Sequence, residues 1–338
     1  MNRSLGDRYS RHPLTMHSSS SPLVSIVTPA YNEEKYIAEC VESVLAQSYS
    51  NWEYTIINNC SDDGTLAVAQ KYAAADPRIR IISNGTLLPA VANFNHALRQ
   101  ISSSSRYCKM VLADDWMFPE CLERMVAVME KHPSMGIVGA YGLKGEVVLW
   151  QGLPYPSDVV TGREICRQRL LGGPYVFGSP TSVLFRADLV RARDPFFNES
   201  NLHAADSEVC FELLNGSDFG FVHQILTFSR ERKVSLLQAS RELNASAADI
   251  LHEIIAYGPH YLTPDEVSQC RDATLSKYYD FLATSFLQGR NKSFWDYHKG
   301  KLKENGIRFS YTSVAGALGR KLLHRFRAPS RRGRKWGL

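Results

Sequence analysis

An aspartate pair closes a short apolar run in Lys109-Met110-Val111-Leu112-Ala113-Asp114-Asp115. Adjacent carboxylates repel one another unless a cation lies between them, and hard oxygen ligands of this kind suit Mg²⁺ or Mn²⁺. A metal shared with a substrate diphosphate would complete such a site. The same pair could instead form an Asx turn into Trp116-Met117-Phe118-Pro119 and cap the helix that follows. Acids, amides and one aromatic stand at the ends of two other apolar runs: Tyr31 and Glu33 after the first, Asn58, Asn59, Asp62 and Asp63 after the second. No G-x-G-x-x-G follows the first run and no G-x-x-x-x-G-K-[ST] occurs anywhere, which excludes the common dinucleotide oxidoreductase and P-loop readings.

These residues need a scaffold that brings strand ends together. Residues 23–28 are an apolar run stopped by Pro29 and read as a buried strand. Ile37, Cys40, Val41, Val44 and Leu45 then recur at helical spacing behind Glu33-Glu34. The unit repeats: strand 52–57, turn Cys60-Ser61-Asp62-Asp63-Gly64, helix 65–74, strand 79–82, helix 90–100, strand 109–112. Such alternation predicts a mostly parallel α/β sheet, whose ligands sit at the carboxyl ends of the strands. Residues 136–230 read as mixed strands and helices. Beyond Lys233 the chain turns helical, with Ile250, Ile254, Leu275, Tyr278 and Phe281 as apolar markers.

With 338 residues, 44% hydrophobic and 22% charged, the chain is long enough to bury a core and ordinary in composition. The net charge of +5 is unevenly placed. Arg320, Lys321, Arg325, Arg327, Arg331, Arg332, Arg334 and Lys335 are eight of the 39 basic residues; without them 31 basic face 34 acidic residues, about −3. Seven scattered cysteines with no C-x-x-C suggest neither zinc nor a disulfide framework and fit a reducing compartment. No apolar stretch matches a signal peptide or a membrane span, so the expected address is cytoplasmic.

Four blocks occur in the order and spacing of family 2 glycosyltransferases. They are Val24-Ser25-Ile26-Val27-Thr28-Pro29-Ala30-Tyr31-Asn32-Glu33-Glu34, Ser61-Asp62-Asp63-Gly64-Thr65, Asn93-Phe94-Asn95, and Leu112-Ala113-Asp114-Asp115-Trp116-Met117-Phe118-Pro119. The sequence resembles that family over residues 22–232. The resemblance implies a GT-A fold, an α/β/α sandwich with a mostly parallel central sheet, here followed by a C-terminal helical appendage. It also implies an inverting transferase that uses a nucleotide-sugar donor with Mn²⁺ or Mg²⁺. By position, Pro29, Tyr31 and Glu33 resemble the nucleoside loop, with the Tyr31 ring near the base. Asn59 falls where many members have an aspartate that reads a pyrimidine, which favours uridine, and Asp63 falls where an acid closes that loop. Asn93 joins this donor set through its block. Leu112 stands where the fullest metal motif has its first acid, leaving Asp114 and Asp115, with Asp115 the first choice as ligand. In the late block Asp206 matches the acid beside the acceptor and is the expected base, with Glu208 as its rival; Asp206 could alternatively be a helix N-cap. Arg230 and Arg232 resemble the arginine segment that meets the diphosphate. His203 reads as a surface group, not a ligand.

The expected organisation is a flexible leader (1–21), a glycosyltransferase domain (22–232), a helical appendage (233–314) and a basic amphipathic tail (315–338). The tail's basic residues, interleaved with Leu322, Leu323, Phe326 and Trp336, suit an anionic membrane surface through 320–336, at the inner face of the membrane. Nothing resembles a nucleic-acid-binding fold. Expected partners are a nucleotide-sugar donor and a glycan or lipid-linked acceptor of surface-polysaccharide synthesis. The rival class is a non-catalytic nucleotide-sugar-binding scaffold, suggested by Leu112, Asn58 and Asn59. A sugar nucleotidyltransferase fits less well, because the Gly-rich basic loop it needs after Thr28 is absent.

Overall fold

The computed structural model describes residues 21–201, 204–231 and 243–327, with side chains as far as residue 321. All seven residues of β1 (Val24–Ala30) are buried, as expected of a strand covered on both faces. Helix α1 (Ile37–Leu45) buries Ile37, Cys40, Val41 and Val44, the spacing of one helical face. The alternation continues through β2 (Trp52–Asn58), α2 (Thr65–Ala75), β3 (Ile79–Ser83), α3 (Ala90–Leu98) and β4 (Tyr107–Met110). These strands pair in parallel in the order β3-β2-β1-β4, so the ends of β2, β1 and β4 open side by side. The fourth strand ends at Met110, two residues short of the sequence expectation. Val111 N still reaches Val27 O at 3.0 Å, but Leu112 N is taken by the Thr181 hydroxyl at 3.1 Å, so the ladder passes to a side chain.

The second half adds β5 (Trp116–Met117), α4 (Cys121–Lys131), β6 (Met135–Lys144), β7 (Val147–Leu149), β8 (Val159–Val160), α5 (Gly162–Leu170), β9 (Val183–Arg186), α6 (Ala187–Arg191), α7 (Ala205–Leu214) and β10 (Asp218–Phe228). The sheet runs on as β4-β9-β6-β10-β5, with β9 antiparallel to both its neighbours and β10 parallel to β6. Successive strand residues face opposite ways. Val27 and Ile57 therefore join one core with Met110, Phe177 and Phe211, while Ile26 and Ile56 join another with Leu122 and Leu226.

Among the described residues, four helices of the appendage follow: α8 (Ser246–Tyr261), α9 (Pro264–Leu287), α10 (Lys292–Glu304) and α11 (Tyr311–Arg327). Thr263 and Glu266 form a capping box around Pro264, which fixes the start of α9. A third core gathers Leu251, Tyr278, Leu282, Phe294, Leu302 and Ala317. Helix α8 contributes Leu251 to this core and Ile254 and Tyr261 to the sheet's core, which fastens the appendage to the sheet domain. Among the described residues no helix is long and apolar enough to cross a membrane. The leader before residue 21, His203, Arg232 and the tail beyond residue 327 lie outside the described residues.

Candidate active site

The loops after β1 and β2 are stitched to one another. Asn32 and Cys60 hold left-handed backbone conformations at φ 56° and 55°, uncommon for non-glycine residues and concentrated at functional loops. Asn32 N donates to Ser61 Oγ at 3.1 Å, and Asn32 Oδ1 accepts from Asp62 N at 3.0 Å. Glu33 N donates to Thr65 Oγ1 at 2.7 Å and Glu34 N to Asp63 Oδ2 at 3.1 Å. Asp63 Oδ1 accepts from Thr65 N at 2.9 Å, so this acid closes the loop onto the start of α2. Burial opposes its charge, yet these bonds from Thr65 and Glu34 hold the Asp63 carboxyl below its usual range. A Cβ at Gly64 would lie 2.4 Å from Glu34 Oε1, so a larger residue there would turn that exposed side chain aside. Tyr31, 45% exposed, stands at the mouth of these loops.

Asn59 turns inward. Its Oδ1 accepts from Leu88 N at 2.9 Å and Asn84 Nδ2 at 2.8 Å, and its Nδ2 donates to Leu88 O at 2.9 Å. Asn84 Nδ2 also donates to Asn93 Oδ1 at 3.0 Å. The structure thus brings Asn59 and Asn93 together through Asn84, but commits the Asn59 carbonyl to the 84–88 loop.

Asp114 and Asp115 lie beyond the end of β4. Asp115 is buried; its Oδ2 accepts from Thr181 Oγ1 at 2.7 Å and Ser229 Oγ at 3.3 Å, and its Oδ1 from Arg230 N at 3.1 Å. Burial first and the Asp114 charge second push its carboxyl up to about 7. Arg230, at the end of β10, donates from Nε to Asp114 O at 3.2 Å, pairs with Glu39, and lays its guanidinium 4.4 Å from the centre of the Tyr36 ring. Under this cluster Lys109 is fully buried and donates to Thr181 O at 2.5 Å and Val183 O at 3.0 Å. Among the described residues no three His, Cys, Asp or Glu side chains are grouped to hold a metal. The two aspartates nevertheless fit a divalent ion that takes its remaining ligands elsewhere. Both offer only hard oxygens, and three donors leave Asp115 about one of its four acceptor sites.

Asp206 lies in the first turn of α7, whose N-cap is Ala204, so it is not the N-cap. Burial first, then Glu208 and Glu253, raise its carboxyl to about 6. Glu208, two residues on, is held by three donors: it accepts from Asn198 Nδ2 at 2.9 Å and Asn201 Nδ2 at 2.5 Å, and pairs with His252 Nε2 at 3.1 Å. Behind both acids a buried ion pair joins α5 to α8, Arg169 to Glu253 at 2.9 Å. The Arg169 guanidinium lies 5.4 Å from the centre of the Tyr175 ring. Burial raises the Tyr175 phenol well above its usual value, with the Asp206 charge next. The segment from Tyr175 to Thr181 thus carries a phenol that feels the Asp206 charge and a hydroxyl that donates to Asp115.

Sequence reasoning passed over Lys109, Ser229, Asn84, Arg169, Glu253 and His252. A signal existed for two of them: Lys109 interrupts an apolar strand, and Glu253 falls among the apolar positions Leu251 and Ile254. The others are common polar residues whose partners are far away in the chain.

The glycosyl transferase family 2 model matches residues 25–193. EpsE of Bacillus subtilis, which carries a glycosyltransferase name, is 30% identical over 247 residues, covering 69% of this chain and 87% of its own length. Among solved structures, S. aureus TarS 1-349 in complex with UDP superposes with a TM-score of 0.62 at 18% identity, over 93% of this chain and 94% of that one. The mannosyltransferase PcManGT of Pyrobaculum calidifontis, in complex with GDP-Man and Mn²⁺, gives 0.51 at 13%, over 90% and 88%. The TarS likeness identifies the fold as GT-A. A family match over half the chain, and a relative this similar over more than two thirds of it, make this chain a member of glycosyltransferase family 2.

Proposed function

We propose that this glycosyltransferase moves a sugar from a nucleotide-diphosphate donor, UDP-linked by preference, to a hydroxyl of a glycan or lipid-linked glycan, with inversion, in surface-polysaccharide synthesis. The observation that supports the reading most is the aspartate pair beyond β4, where Asp115 accepts from Thr181, Ser229 and Arg230 N and Arg230 bonds Asp114 O, with the Asp206 charge acting on Tyr175 of the same 175–181 segment. Pro29, Tyr31, Glu33 and Asp63 form the nucleoside loop. Asn59, with Asn84 and Asn93, holds the floor of that loop rather than reading the base. Asp114 and Asp115 would hold Mn²⁺ or Mg²⁺ together with donor oxygens, and the ion would supply charge to the departing diphosphate. Arg230 adds a second positive charge there once its exposed pairing with Glu39 is exchanged for the diphosphate. Asp206 takes the proton from the acceptor hydroxyl as that oxygen attacks C1 opposite the diphosphate. Asp206 is preferred to Glu208 as base, because Asn198, Asn201 and His252 hold the Glu208 carboxylate and keep its pKa below the usual range.

One of the similar structures holds UDP and the other GDP-Man with Mn²⁺, so the base is the element to test first. Thermal unfolding with UDP-, GDP-, dTDP- and CDP-sugars, each with Mn²⁺, Mg²⁺ or EDTA, does so. A ligand at 100 times its Kd adds about 2.7 kcal/mol. Metal-dependent stabilisation by UDP-sugars is expected; stabilisation by GDP-sugars alone would overturn the uridine preference. The basic segment 320–336 is further proposed to dock on an anionic membrane surface at the cytoplasmic face. A chain ending at Ser313 that sedimented with anionic vesicles as well as the full chain would refute that.

A further inference from the structure

The charge of the chain is divided. From Arg290 onward lie 14 of the 39 basic residues and two of the 34 acidic ones, so this end carries +12 and the rest −7. Part of that charge is organised. Between α10 and α11 a cleft of about 550 Å³ is lined by Lys299, Lys303, Ile307, Arg308, Phe309 and Tyr311. Lys299 Nζ lies 5.3 Å from the ring centres of both Phe309 and Tyr311 and donates to Tyr311 Oη at 3.0 Å. Its charge is met by ring faces and a hydroxyl, which do not neutralise it. Among the described residues none of Lys299, Lys303 and Arg308 has a carboxylate partner, whereas Lys301 and Arg320 do. Tyr311 is 71% exposed, an amphipathic ring of the kind that sits at a bilayer interface.

We propose that this cleft binds the phosphate headgroups of anionic lipids, a site separate from the donor site. Lys299, Lys303 and Arg308 meet the phosphates, while Ile307, Phe309 and Tyr311 lie against the boundary between headgroups and chains. Helix α11 starts at the cleft with Tyr311 and carries Arg320 and Lys321 further along. The choice of a bilayer as occupant rests on the membrane reading above; the choice of residues does not.

The test is flotation of the full chain with vesicles of phosphatidylcholine alone or with about 30% phosphatidylglycerol, where each basic residue contributes up to about fivefold in affinity. Lys299→Gln/Lys303→Gln/Arg308→Gln should weaken binding to the anionic vesicles at least tenfold without changing the melting temperature. Native-like binding by that variant would overturn the cleft. If a variant neutralised at Arg331, Arg332, Arg334 and Lys335 then lost binding, the tail alone would carry the membrane reading. Failure of the native chain to prefer anionic vesicles would sink both. Should the triple variant unfold, exposed Lys303→Glu keeps the question open to decision, with a several-fold loss expected and no loss fatal. Displacement from vesicles by inorganic phosphate, at an ionic strength where chloride does not displace, would assign the cleft to free phosphate and refute the bilayer.

Discussion

Asn59 and Glu208 are both buried, and each is held by three side-chain contacts, but they organise two unlike regions. Around Asn59 the partners are amides and backbone, so the loop is shaped without net charge. Around Glu208 they include His252, and the neighbouring Arg169–Glu253 pair is 14% and 5% exposed. Neutral amides fix a loop at modest cost. Buried charges cost more to bury, but they set the field in which another carboxylate titrates. The second region thus leaves Asp206 half-buried beside acids that are already paired, with a raised pKa, the condition a base working near neutrality needs.

The sharpest break between the regions is Asp206→Asn, which should lower kcat by about 10²–10⁴ while donor binding, read by thermal shift, is kept. Turnover near the native value would remove Asp206 from the mechanism. Since the base must be ionised, native kcat should fall as pH drops through about 6. Glu253→Gln removes one of the charges that raise Asp206 and should move that inflection downward; an unmoved inflection would detach the ionic network from the base. Next in size is the buried pair itself. Arg169→Met leaves Glu253 uncompensated and should cost about 3–5 kcal/mol in urea unfolding, against a loss under 1 kcal/mol if the pair were solvated.

The strand-end loops were more legible in the sequence than the ionic region around Glu208. Strand ends carrying Tyr31, Asn59 and Asp114-Asp115 follow from local apolar runs, since parallel strands bring their loops together whatever lies between them. Asp63 was legible as a loop closer because its partners, Glu34 and Thr65, belong to the first two strand–helix units. The charged region is assembled from α5, α7, α8 and the 198–201 loop, and Arg169 meets Glu253 across 84 positions. No local period encodes such a meeting. The inward turn of Asn59 was equally hidden, because Leu88 offers only backbone atoms and any residue type supplies those.

Asn59→Ala tests the neutral side. It deletes three hydrogen bonds and leaves Leu88 N–H and C=O unmet, a loss of about 1–3 kcal/mol per buried group before water relieves it. The 84–88 loop should loosen and KM for the donor rise, with kcat nearly unchanged. A fall in kcat at constant KM would mean that Asn59 acts on the reacting atoms. Asn59→Asp keeps the acceptor for Leu88 N and Asn84 but loses the donor to Leu88 O, so it should lie between alanine and the native residue.

The smallest effect concerns the pH range over which the charged side stays assembled. Burial opposes the Glu208 charge, but His252, Asn198 and Asn201 hold its carboxyl below the usual 4.5. Glu208 in turn raises His252 above 6.5. The Glu208 contribution is complete above 4.5 and is lost as pH falls through the lower folded value. The His252 contribution is complete below 6.5 and is lost as pH rises through the raised one. The pair therefore stabilises most between pH 4.5 and 6.5. His252 is a third exposed, so His252→Gln should cost only about 1 kcal/mol in urea unfolding at mildly acidic pH, and clearly less in alkaline buffer. Equal costs in both buffers would mean that His252 acts through its Asn305 hydrogen bond and its packing, leaving the buried Arg169–Glu253 pair to distinguish this region from the amide side.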